Sequence, residues 1–171
     1  MAISPQRLDH LRRNSRLRLD KEGRWSLDGR PVEHPRVQRL FHQGVRAEGP
    51  DAPAPYSLHV GEQWAYIQFI EDTAYFVVKA RIQEASRAGS VSEAGRVVVS
   101  LADGTEQDLD PASISMSGPE DLYCVLANGH RARFGRDALA ALLPLLEEDP
   151  EGPPDQLGIR LGPVFHSIRV E

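Results

Sequence analysis

Two tryptophans stand beside charge in the first half of the chain: Trp25 follows Arg24, with Arg30 close behind, and Trp64 follows Glu62 by two residues. Indole faces stack on flat, partly polar ligands while guanidinium groups hold their phosphates, so Arg24, Trp25, Arg30 and Trp64 are the candidate ligand-binding residues. The same rings also suit, and more often occupy, a core or a packing seam, because large aromatics dominate both.

Other chemistry is sparse. Six histidines are dispersed at positions 10, 34, 42, 59, 130 and 166, and none forms the His-Glu-x-x-His spacing that sets two imidazoles on one helix face, so no metal site is expected. The chain has no Gly-x-Gly-x-x-Gly, no phosphate-cradling GxxxxGK[ST], no G-x-S-x-G elbow and no kinase set. The adjacent carboxylates Glu71-Asp72 and Glu147-Glu148-Asp149 fall at expected turns or helix ends, where charge is ordinary. A non-enzymatic protein without a cofactor is the expectation. Cys124 is the single cysteine, which excludes an internal disulfide, and the alternating DLYCVL around it reads as a strand with a small buried hydrophobe.

The composition, 40% hydrophobic and 26% charged, is that of an ordinary globular chain. No apolar run is long enough for a membrane helix, and the opening residues lack the pattern of a secretory signal, so a cytoplasmic protein without a membrane partner is expected. Net charge is −5, divided as +5 over residues 1–50 and −10 over residues 51–171. The basic segment can attract phosphates or an acidic partner, but its arginines are scattered as on a solvated face, which argues against nucleic acid.

Ser4-Pro5 reads as the cap and first turn of a short helix. Leu17, Leu19, Trp25 and Leu27 on either side of Lys21-Glu22-Gly23 predict a hairpin over 16–27. Val37, Leu40, Phe41 and Val45 at helical spacing predict an amphipathic helix. A Pro-rich loop at 49–55 and three strands at 56–60, 64–70 and 74–80 follow, expected as an antiparallel meander. Hairpins are expected around Asp103-Gly104 and Asn128-Gly129, with a short strand at 113–116 between them. A helix over 136–147 should turn Leu139, Leu142, Leu143 and Leu146 inward and tighten at Pro144, before closing strands at 157–161 and 164–170.

The segments RLRLDKEGRWSLDGRPVEHPRVQRLFHQG and DLYCVLANGHRARFGRDALAALLPLLEE share one plan of strand, turn, strand, break and helix. From residue 58 onward the chain then aligns with 159–171 without a gap, setting Gly61 against Gly162, Trp64 against Phe165, Ile67 against Ile168 and Phe69 against Val170. The fold expected is α+β, with two related antiparallel sheet-plus-helix halves at 1–82 and 96–171 joined by a Ser/Ala/Gly-rich linker at 83–95. One such unit buries a single face, so the seam where two meet is the expected ligand site.

LRLDKEGRW, GRPVEHPRVQRLF and YSLHVGEQWAYIQFIEDTAYFVV resemble the bacterial family known as domain of unknown function 1285 (DUF1285), most specifically over residues 16–80. The resemblance implies an α+β fold with internal duplication, a C-terminal half superficially like a pleckstrin-homology barrel, and a nucleotide-like ligand between the halves in a signalling role. The leading expectation is therefore a binding or signalling module for a small anionic ligand. The alternative is a protein-interaction adaptor that docks a partner through an exposed strand edge or the basic N-terminal helix.

Overall fold

The structure is a computed structural model that describes residues 4–83, 95–119, 121–149, 152–153 and 156–171. The chain divides into two compact units, one of residues 1–74 with 102–104 and one of residues 75–101 with 105–171.

The first unit opens on α1 (Pro5–Arg13), capped by the Ser4 side chain, which accepts from the Arg7 N–H at 3.3 Å. This helix buries no residue, and Leu11 is left exposed. Strands β1 (Leu17–Leu19) and β2 (Trp25–Leu27) form the expected hairpin, and β3 (Arg30–Pro31) pairs onto β2. Helix α2 (Pro35–Gly44) follows, with Leu40 exposed rather than inward. Strands β4 (Val45–Ala47), β5 (Tyr56–Val60) and β6 (Gln63–Tyr66) make a three-stranded antiparallel sheet.

The expected meander does not form. After β6 the chain enters β7 (Phe69–Ile70), which leaves the β5–β6 sheet to pair parallel with β1, giving a four-stranded sheet in the order β3-β2-β1-β7. One face of that sheet is buried through Leu17, Leu19 and Trp25. Because side chains alternate across a strand, Arg18 on β1 points the other way, and the register sets it in a row with Ser26, Pro31 and Phe69.

The second unit begins earlier than the expected boundary. Strand β8 (Tyr75–Gln83) pairs with β9 (Arg96–Leu101) and, in parallel, with β13 (Arg131–Phe134), because its Val77 belongs to the core cluster of this unit. Of the expected linker, residues 84–94 lie outside the described residues. Strands β10 (Glu106–Leu109), β11 (Ser115–Met116) and β12 (Leu122–Val125) complete the neighbourhood, and with β17 (Arg169–Val170) the seven-stranded order is β10-β9-β8-β13-β12-β11-β17. Helix α3 (Arg136–Leu142) ends where Pro144 tightens the chain into a 3₁₀ turn over Leu143–Leu145. Leu142 is buried, Leu139 packs beside the core, and Leu143 faces out. Strands β14 (Leu146–Glu148), β15 (Leu157–Leu161) and β16 (Val164–Ser167) form a second three-stranded sheet.

Internally, the two units carry the same pairing plan. The order β3-β2-β1-β7 matches β13-β12-β11-β17, each with its last strand parallel, and β4-β5-β6 matches β14-β15-β16. Val45 pairs with Leu58 as Leu146 pairs with Ile159, and the turn glycines Gly61 and Gly162 have φ of 59° and 60°. The closing segments thus correspond in the register read from the sequence. The hairpins do not: by pairing, β1 and β2 match β11 and β12, one strand earlier than the sequence alignment set them, because β1 and β11 are the strands that receive the parallel partner.

Candidate functional site

Two residues of the exposed row of the four-stranded sheet floor an open groove of ≈ 680 Å³. Arg18 and Phe69 lie on its floor, and Arg13, Arg16, Tyr66, Gln68, Pro53 and Ala54 also line it. All of these residues belong to the first unit. The Arg18 guanidinium sits 4.5 Å from the centroid of the Phe69 ring, and among the described residues it has no carboxylate partner. The Tyr66 hydroxyl likewise makes no hydrogen bond among the described residues, while its ring meets Trp64 edge-on at 5.3 Å.

Its two other arginines are paired. Arg13 Nε donates to Asp9 at 2.8 Å, and Arg16 Nη1 donates to Asp28 at 2.8 Å, both pairs well exposed. Such surface pairs contribute only about 0–1 kcal/mol to stability, but each sets a carboxylate beside its guanidinium. Arg16 and Asp28 also have φ of 56° and 53°, and they are the non-glycine residues with positive φ among the described residues. The Asp28 N–H donates to the Arg16 carbonyl at 3.3 Å, and the Arg16 N–H donates to Gln68 Oε1 at 3.1 Å, so this left-handed backbone is held from both sides. Backbone held in such conformations concentrates at functional sites, and here it borders the groove.

A second, smaller depression of ≈ 410 Å³ shares Arg18, Gly29 and Phe69 with the first and extends toward Asp20, Arg24 and Glu71. Of the four residues proposed from the sequence, Arg24 and Trp25 border this depression, and Arg30 and Trp64 line neither. Arg24 is tied to Asp20 at 2.8 Å and to Glu22 at 3.1 Å, and the hydrogen bond it donates to Asp20 is the main cause of its raised pKa. Trp25 is 1% exposed, its ring edge-on to Phe41 at 5.5 Å and to His42 at 5.6 Å, so it packs the core instead of offering a face. Trp64 is stacked on His59 at 5.7 Å with the Arg12 guanidinium 4.2 Å from its centroid, so its ring is already engaged. The residues missed were Arg16, Arg18 and Phe69. The alternation Arg16-Leu17-Arg18-Leu19 held the signal, since it segregates guanidinium groups from the leucines that anchor the sheet.

One cluster looks like a hydrolase relay and is wired differently. The buried Ser57 hydroxyl bonds both Glu48 and, at 2.9 Å, His59 Nε2. A hydroxyl has one proton, and the Glu48 carboxylate only accepts; His59 Nε2 must then donate to Ser57 Oγ, so the imidazole is not the acceptor that a Ser–His relay uses. Cys124 is buried, and burial pushes its thiol up to about 12, far from reactive.

His42, on the inner side of α2, donates from Nε2 to the Gly23 carbonyl at 2.9 Å and bridges the helix to the β1–β2 turn. Burial lowers its pKa, against the smaller upward pulls of the Gly23 carbonyl and Asp103. The unfolded chain therefore takes up this proton more readily than the folded one. Stability is fully present above the ordinary histidine value and is lost as pH falls through it toward the lower folded value. Melting temperatures at pH 7.5 and 5.5 should show the first unit weakening at the lower pH, and His42→Gln, which keeps a donor for Gly23, should flatten that dependence. An unchanged slope in the variant would refute the assignment.

The chain is thus an α+β protein with an arginine-lined groove on one open sheet face. Its fold is shared with two solved DUF1285 family proteins. The crystal structure from Silicibacter pomeroyi DSS-3 matches with a TM-score of 0.62 at 17% identity, covering 90% of this chain and 79% of that one. The one from Shewanella baltica OS155 matches with a TM-score of 0.52 at 16% identity, covering 77% of this chain and 93% of that one. No family model matches the sequence, and no curated protein matches it. The resemblance read from the sequence holds at the level of fold. Among the described residues no helix is long and apolar enough to cross a membrane.

Proposed function

We propose that this chain is a non-enzymatic, cytoplasmic binding module that captures a small anionic ligand with a flat body, nucleotide-like in that broad sense, on the open face of the β3-β2-β1-β7 sheet. The observation that carries this reading is Arg18, an exposed guanidinium stacked on Phe69 with no carboxylate partner among the described residues. Stacking occupies the face of a guanidinium and leaves its in-plane N–H fork available to an anion. The groove's volume, ≈ 680 Å³, falls within the range of small-molecule sites. A signalling role fits a module that binds without reacting, and the shared pairing plan of the two units supports their descent from one ancestral unit.

The test is a panel of small anions, nucleotides and aryl carboxylates among them, added to the intact chain while following its melting temperature. A ligand present at a hundred times its Kd should stabilise the chain by about 2.7 kcal/mol, and Arg18→Gln should abolish most of the shift. Silence across the panel would overturn the reading.

A further inference from the structure

We infer that the groove selects a monoanion, a carboxylate carried on a flat apolar body, and rejects polyphosphates. This rests on the reading above and narrows it.

The charge balance comes first. Three arginines line the groove, but Arg13 is neutralised by Asp9 and Arg16 by Asp28, each at 2.8 Å. Arg18 alone among the three is uncompensated, so the site offers one net positive charge, which matches one negative charge on a ligand. Asp28 itself lines the groove and repels any further negative charge brought beside it.

Backbone polarity points the same way. Phosphate clusters are held where helix N-termini or runs of backbone N–H groups converge. Here α1 reaches the groove with its opposite end: Arg13 is its last residue, and the Arg13 carbonyl accepts from Gln68 Nε2 at 3.2 Å beside the site. The C-terminal end of a helix carries partial negative charge, which disfavours a densely charged anion more than a singly charged one.

The walls favour a flat apolar body. Phe69 is 43% exposed, and Pro53 and Ala54 line the same groove. A carboxylate's two oxygens match the guanidinium fork, and its ring would lie along Phe69.

Calorimetric titration of the intact chain with 2-naphthoate, inorganic phosphate, AMP and ATP at fixed ionic strength tests this, with the Arg18 Nε–Hε NMR signal reporting whether binding is at the groove. We expect 2-naphthoate to bind at least about tenfold more tightly than ATP, and Arg18→Gln to weaken it by about tenfold or more, the range for a lost charge-assisted pair. Asp28→Asn, which an αL position accepts, should raise ATP affinity and narrow the gap. ATP binding more tightly than 2-naphthoate, with the same Arg18 dependence, would overturn this inference and leave the anion reading standing. Absence of binding by any of the four would overturn both, as would binding that leaves the Arg18 signal unmoved and survives Arg18→Gln.

Discussion

Trp25→Ala is expected to destabilise the first unit by about 3–5 kcal/mol, the range for removing a large buried aromatic. Trp25 is 1% exposed, sits opposite Leu19 in the β1–β2 register, and meets Phe41 and His42 of α2 edge-on. Its loss removes the side chain on which the sheet and the helix close. Urea unfolding followed by circular dichroism measures the loss, with Trp25→Phe as the graded companion that keeps a ring and should cost distinctly less. A change under about 1 kcal/mol for Trp25→Ala would mean that the ring is not the keystone its burial implies.

Gly44→Ala should cost about 3 kcal/mol or more, at the upper end of overpacking effects. Gly44 is the last residue of α2, buried where the helix meets β5. A methyl group there would stand 2.1 Å from the His59 carbonyl oxygen and 2.9 Å from Leu58 Cδ1. The first obstacle is backbone already committed to the β5–β6 ladder, so it cannot step aside as a side chain would. Gly49→Ala is the matched control: no atom lies within 4 Å of its added carbon, and its φ is not positive, so it should be neutral or stabilise by about 0.4–1 kcal/mol. Scanning calorimetry on both variants decides the matter, and equal melting temperatures would sink the steric account.

The first of these residues is one whose sequence neighbourhood pointed elsewhere. Trp25 drew attention because Arg24 and Arg30 flank it, yet Arg24 follows the β1–β2 turn and Arg30 belongs to the edge strand β3. Arg24 spends its charge on Asp20 and Glu22. The groove instead takes its floor from Arg18 and Phe69, fifty-one positions apart in the chain and adjacent only through the parallel β1–β7 pairing. No local pattern encodes that neighbour relation, since parallel partners are brought together by a crossover whose length the strand residues do not record.

What the sequence determined by itself is whatever a few neighbouring residues enforce. Ser4-Pro5 starts α1, Gly23 and Gly129 turn hairpins, Pro144 tightens the end of α3, and the closing segments correspond residue for residue because each is one continuous run with a left-handed turn glycine at the same place. Tertiary structure alone decided that β7 leaves its neighbours for β1, that β8 joins the second unit, and that Arg18 remains without a carboxylate partner among the described residues. The physical reason is that capping and turn formation are settled within about four residues. Strand partnership and charge pairing depend on which distant surfaces close over one core, and that is a property of the whole folded chain.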